Sequence, residues 1–259
     1  MTSQRTAIVL GASGSVGVAL LRELFHDDDF GTVITLSRRS LPEAVAMAAS
    51  AGRRLVEKLV PDMKPAALAA ATIEAARECD GELEGFSVLG VGAGTAKLTL
   101  EEHRAVDVAL NEAFARGLRD SGRVRHLAFM SAVGADPTGK TSGNGGAGMP
   151  RYNRVKGESE EAVRASGPTL VSVFRPAMII GSQHTPWLLE KALPLFSFVT
   201  PANFKSIHVE QIAQAMIASA KQHPAQSATY LYPEMMALIA RERGSGGRGD
   251  FSEGQPSSR

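Results

Sequence analysis

Residues 6 to 25, TAIVLGASGSVGVALLRELF, restrict the fold more than any other stretch of this chain. Thr6 to Leu10 is short, apolar and rich in β-branched residues, which suits a strand buried on both faces of a parallel sheet. Leu20, Leu21, Leu24 and Phe25 then recur at three- and four-residue steps, the period of one apolar helix face. Gly11, Gly14 and Gly17 lie between the two patterns, so the chain turns from strand to helix where the backbone is bare. Such a turn presents the first helical N–H groups, and the positive end of the helix dipole, to an anion. The stretch therefore predicts a pyrophosphate cradle built from Gly11, Ser13, Gly14, Val16 and Gly17, with a turn that binds nothing as the plain alternative.

A chain of 259 residues with an apolar fraction of 44% can bury a substantial single core, and residues 1–243 read as one domain. A formal charge of +1 gives no global reason to expect nucleic acid or an anionic membrane as partner. The single cysteine, Cys79, excludes an intramolecular disulfide and a cysteine metal cluster, and reads as a half-buried, inert thiol. With no basic, apolar leader at the start and no apolar run long enough to span a bilayer, the expectation is a cytoplasmic protein with no membrane partner and no metal.

Strands are expected at residues 32–36, 55–60, 86–91, 124–130 and 229–232, alternating with helices, the last of which runs to about Arg241. This predicts an α/β fold of the Rossmann type, a doubly wound parallel sheet. Ser37-Arg38-Arg39-Ser40 closes the second strand, where an acidic residue would bond the ribose 2′-hydroxyl of NAD and a basic one suits a 2′-phosphate. Arg38 and Arg39 stand there without a carboxylate, so NADP(H) is the expected cofactor; a solvated arginine pair is the alternative. Gly90, Val91 and Gly92 end the fourth strand in small residues that let a ribose approach. Thr99 with Glu102 is a capping-box signature for a long helix to about Gly122. His103 and Asp107 lie one turn apart on it and read as solvated polar residues. Ser131 ends the fifth strand, facing the crevice where parallel sheets hold ligands. Residues 137–150 form a Gly-, Ser- and Thr-rich loop, either a lid or a tolerated insertion.

Tyr152 and Lys156, in YNRVK, share one helix face at i and i+4. An adjacent ammonium favours phenolate, so the tyrosine can exchange a proton with a carbonyl or alcohol while the lysine also bonds a ribose. Ser131 would hold the same substrate oxygen. Taken in order, the three glycines, the arginine pair, Ser131 and the Tyr/Lys pair resemble the short-chain dehydrogenase/reductase superfamily over roughly residues 5 to 240. SAVGAD, YNRVKGESE, FRPAMIIG and IHVEQIA narrow the resemblance to its extended or atypical branch of Tat-interactive-protein-like NAD(P)-binding proteins.

The resemblance implies an NADPH-dependent oxidoreductase acting on a carbonyl or alcohol of a small organic substrate. Its catalytic residues would be Ser131, Tyr152 and Lys156, with Asp62 beside the adenine and Arg175, Pro176 and Met178 beside the nicotinamide. It also admits a non-catalytic NADPH sensor acting through a protein partner, an isomerase or epimerase with tightly held cofactor, and a homodimer. The chain departs from the pattern at Asp107, where many relatives carry asparagine, and at Ala132, where many carry a second serine. Residues 182–206, with Trp187, Leu188, Leu189, Leu193, Phe196, Phe198 and Phe204, read as a substrate-side excursion whose apolar residues line a pocket or pack a cap. His208 reads as structural, and 244–259, with its chance Arg-Gly-Asp match, as a disordered tail.

Overall fold

The structure, a computed structural model, describes residues 4–143, 145–181 and 201–246. β1 (Arg5–Leu10) enters α1 (Ser15–His26) through the glycine turn. β2 (Phe30–Ser37), α2 (Pro42–Ser50), β3 (Arg54–Leu59), α3 (Pro65–Arg77) and β4 (Leu83–Ser87) follow. A 3-10 turn over Gly92–Lys97 leads to α4 (Leu100–Arg104), a π-helical segment (Ala105–Leu110) and α5 (Asn111–Asp120). Then come β5 (Val124–Met130), α6 (Pro150–Ser166), β6 (Leu170–Phe174), β7 (Ile179–Ile180), β8 (Ile207–His208), α7 (Val209–Lys221), β9 (Ala228–Tyr230) and α8 (Tyr232–Gly246).

Seven parallel strands form one sheet in the order β3-β2-β1-β4-β5-β6-β9. β1 pairs with β2 on one side and β4 on the other, so the strand order reverses at its carboxyl end and leaves a crevice there. Side chains alternate across the sheet. Ala7 and Val9 join a core with α1, α2, α7 and α8, while Ile8 and Leu10 join a second with α3, α5 and α6. Burial on both faces is why β1 reads as an unbroken apolar run.

Several polar residues inside the sheet are paired, although the buried Thr35 hydroxyl has no partner among the described residues. His126 on β5 bonds Glu84 of β4 at 2.9 Å and Ser172 of β6 at 2.9 Å, and Ser219 of α7 donates to Ser172. This network corrects the expected fourth strand: β4 ends at Ser87, and Val88 to Val91 form the connection beyond it. Helix α8 likewise runs past Arg241 to Gly246. β7 and β8 pair in parallel as a separate ladder, and the Ile207 N–H donates to the Met178 carbonyl at 2.9 Å. Trp187, Leu188, Leu189, Leu193, Phe196, Phe198 and the Arg-Gly-Asp tripeptide lie outside the described residues. Among the described residues no helix is long and apolar enough to cross a membrane.

Candidate functional site

Beyond the carboxyl ends of β1, β4 and β5 lies a cleft of about 620 Å³. Its walls are Gly14, Ser15 and Val16 from the glycine turn, Val88 and Gly90 to Gly92 after β4, and Met130, Ala132 and Val133 at the end of β5. Ala147 and Gly148, Tyr152, Pro176 to Ile179 and Phe204 complete it. The 137–150 loop thus supplies part of the wall through Ala147 and Gly148.

The three glycines differ in what demands them. Gly11 has φ +89°, and an added Cβ would stand 2.6 Å from the Leu89 nitrogen. A Cβ on Gly17 would stand 2.2 Å from the Gly11 carbonyl oxygen, so α1 is pressed against its own turn. Gly14 has φ −79°, and a Cβ there would meet only the Gly11 oxygen, at 3.6 Å. No side chain caps α1 and its first turn holds no acidic residue. Packing explains Gly11 and Gly17, whereas Gly14 keeps open the space in front of the helix N-terminus. This cradle fits a diphosphate. Ser13 is exposed in the same turn.

Parallel pairing sets Leu10 against Leu36, which brings Arg38 and Arg39 alongside the turn. Both are exposed, and neither has an ion-pair partner among the described residues. Asp62 is exposed in the turn after β3, where its carboxylate accepts from the Lys64 N–H at 3.4 Å and lies 3.5 Å from the Lys64 ammonium. It does not line the cleft.

Tyr152 is half-buried on the cleft wall, in the first turn of α6. The helix is anchored by Glu158, whose carboxylate accepts from Arg104 of α4 at 2.5 Å and 2.7 Å and from Arg154 at 2.8 Å. One turn beyond Tyr152, Lys156 is 3% exposed, and its ammonium lies 5.9 Å from the Tyr152 ring centre. The ammonium is ion-paired with Asp107 at 2.7 Å. Burial opposes the charge on Lys156, but the Asp107 carboxylate, with Tyr152 and Glu160, more than offsets it and holds the pKa above the ordinary lysine value.

His103 and Asp107 correct the expectation of solvated residues: they are 0% and 1% exposed. The His103 ring stacks on Tyr152 with centres 5.9 Å apart, and its Nε2 lies 3.7 Å from the Asp107 carboxylate. Burial, with Lys156 and Arg151 nearby, pushes the His103 pKa down against the pull of Asp107, so the imidazole is neutral. The Val91 N–H donates to the other Asp107 oxygen at 3.1 Å, while the Asp107 carbonyl accepts from Asn111 Nδ2 at 2.8 Å and from Ser159 Oγ. Asp107 lies on the π-helical segment, a widened turn of the kind often found at functional sites. Gly90 roofs the pair, and a Cβ there would sit 3.0 Å from the Lys156 ammonium and 3.2 Å from Asp107.

Two expected contacts are placed elsewhere. Ser131 is buried, its Oγ has no hydrogen-bond partner among the described residues, and Ala132 takes the wall position instead. β5 ends at Met130, and of the connection that follows it is Ala132 and Val133, not Ser131, that line the cleft. Arg175 gives its guanidinium to Glu160 in two bonds of 2.8 Å and 2.7 Å, leaving Pro176 and Met178 on the wall. His208 caps α7, its N–H donating to Gln211 at 3.0 Å.

No family model matches the chain. Among curated proteins, Protein FMP52, mitochondrial, of Eremothecium gossypii is 28% identical over 185 residues, covering 69% of this chain and 68% of that protein. The protein of the same name from Aspergillus niger is 28% identical over 176 residues, covering 68% of this chain and 67% of its own. Solved structures share the fold at low identity. MoeE5 in complex with UDP-glucuronic acid and NAD matches at TM-score 0.60 and 16% identity, over 92% of this chain and 82% of that one. L-sorbose reductase from Gluconobacter frateurii, complexed with NADPH and L-sorbose, matches at TM-score 0.61 and 16% identity, over 88% and 95%. Yeast methylglyoxal/isovaleraldehyde reductase Gre2 with NADPH gives TM-score 0.57 and 16% identity, over 87% and 78%. With these proteins the chain shares its fold, a doubly wound parallel sheet of the Rossmann type.

The names of the curated relatives overturn the cytoplasmic expectation, since they are mitochondrial in each of four fungi. That expectation rested on a missing leader, and an absence does not specify a compartment.

Proposed function

We propose that the chain is an NAD(P)-dependent oxidoreductase that interconverts a carbonyl and an alcohol on a small organic substrate. The observation that carries this is a shared cleft: the uncapped glycine turn and the half-buried Tyr152 line one cavity at the sheet's switch point. The glycine turn would hold the diphosphate and the 90–92 segment the ribose, with Pro176 and Met178 beside the ring. The free guanidinium groups of Arg38 and Arg39 favour NADP(H) over NAD(H). A bound nicotinamide supplies or accepts the hydride.

The chain's own part is proton transfer and placement. Tyr152 exchanges a proton with the substrate oxygen, and Lys156, fixed by Asp107, sets a positive charge behind the ring. The bare backbone of Gly90 lets a ribose hydroxyl come near that ammonium. Ser131 enters as backing to the wall. The test follows NADPH absorbance over a panel of carbonyl compounds with wild type and Tyr152→Phe. Turnover falls by at least about 100-fold in the variant with cofactor affinity retained; an active variant overturns the role of Tyr152.

A second reading is favoured by the buried Ser131 hydroxyl and by the ion pair that occupies Lys156. It is a cofactor-binding sensor that acts through a protein partner. Cofactor binding without turnover of any carbonyl in the panel selects it.

A further inference from the structure

Resting on the oxidoreductase reading, we infer that the substrate is an uncharged, predominantly apolar aldehyde or ketone with one oxygen to offer. Beyond the glycine turn the wall is hydrocarbon and thioether: Met130, Val133, Met178, Ile179 and Phe204. Among the described lining residues only Ser15, at the start of α1, and Tyr152 have polar side chains, and none is charged. Five large apolar side chains are exposed among the described residues, and two of them stand at this cleft, Met178 at 47% and Phe204 at 55%. Exposed apolar groups gathered at a cavity mouth mark a surface that a ligand covers.

Among the described residues on adjoining segments, Lys156 and Arg175 are ion-paired, while Arg151 is held by backbone carbonyls and its Nε has no partner. Arg151 donates to the carbonyls of Leu98 at 2.8 Å and Thr95 at 3.4 Å. Lys156 is paired with Asp107, and Arg175 with Glu160. Lys205, next to Phe204, does not line the cleft. Among the described lining residues, a carboxylate or phosphate entering here finds no charged side chain to offset its lost water. Each sugar hydroxyl beyond the one facing Tyr152 likewise finds only Ser15 as a further polar side chain among the described lining residues. The cleft thus differs in demand from fold neighbours solved with UDP-glucuronic acid and with L-sorbose. Two methionines give the wall a soft surface that accommodates chains of differing shape.

The experiment uses the full-length protein loaded with NADPH. Octanal is compared with its analogue bearing a carboxylate at the far end, by kcat/KM. Octan-1-ol is compared with octanoate by calorimetric binding. Octanal is expected to exceed the carboxylated aldehyde by at least about tenfold, a free-energy difference of about 1.4 kcal/mol. Phe204→Arg, a change at an exposed side chain, narrows that gap by giving the carboxylate a partner. Equal or better use of the carboxylated aldehyde by wild type overturns the inference and leaves the oxidoreductase reading intact. If neither aldehyde is turned over, the oxidoreductase reading is left to the wider carbonyl panel. Binding then decides the inference: tighter octan-1-ol supports it, and octanoate binding as tightly or tighter overturns it.

Discussion

Lys156 stands apart from an ordinary helix lysine because its charge has been moved out of water and given one fixed partner. Removing that partner leaves a buried cation alone, which destabilises proteins by about 3–5 kcal/mol. Asp107→Asn is expected to lose about that much in urea unfolding, and a loss below about 1 kcal/mol would show the pair to be unimportant. The sign with pH follows from the raised pKa of Lys156. Stabilisation of the charged lysine is complete below the unfolded value of about 10.4 and fades only as pH climbs through the folded value. The deficit of the variant is therefore flat between about pH 6 and pH 9. At the other end of the cleft, Arg38→Ala and Arg39→Ala each weaken NADPH binding by about tenfold or more and leave NADH unchanged, since charge-assisted bonds are worth about 1.5–3 kcal/mol. Equal wild-type affinity for the two cofactors would sink the arginine argument. Spacing made the Tyr152 and Lys156 pair legible in the sequence. It could not tell which way His103 and Asp107 face, because an i, i+4 pair shares a face whether that face meets water or protein.

Among the elements, α1 carries the cofactor argument through a contrast between its glycines. Gly14→Ala has room in the protein, and the loss of a glycine cap costs about 1 kcal/mol, so the fold survives. Cofactor affinity is expected to fall by about tenfold or more, because the methyl group intrudes where the diphosphate rests. Undiminished affinity in a folded Gly14→Ala protein would remove the diphosphate from this turn. Gly17→Ala, by contrast, drives a Cβ into the Gly11 carbonyl and disrupts the turn itself. Apolar periodicity and β-branching made most elements readable, including β5 at Val124–Met130. β4 was misplaced because its own residues Glu84, Gly85 and Ser87 look like loop, while the apolar stretch beyond them looks like strand. Their partners, His126 and Asn111, lie far along the chain, where no local pattern registers them.

Across the whole molecule, the two cores meet through one sheet, and the cleft is assembled from elements on both sides of β1. A ligand that binds there stabilises the folded state as a unit. At a hundred times its dissociation constant, NADPH adds about 2.7 kcal/mol. For a chain of this size that raises the unfolding midpoint by about 5–10 °C in a thermal scan. No shift at saturating NADPH would remove the cofactor from the account. The doubly wound plan was legible from the alternation of strand and helix patterns, since a short apolar strand followed by an amphipathic helix admits few other arrangements. The compartment was not, because sorting is read by cellular receptors and leaves no mark on packing.

The small β7–β8 ladder brings the chain back to where it left, with Met178 and Ile207 joined by one amide bond. The two ends of the intervening stretch are thereby held together. Lengthening or trimming that stretch changes the loop-closure entropy only slowly. Changes of length there are therefore expected to leave the glycine turn and Tyr152 where they stand.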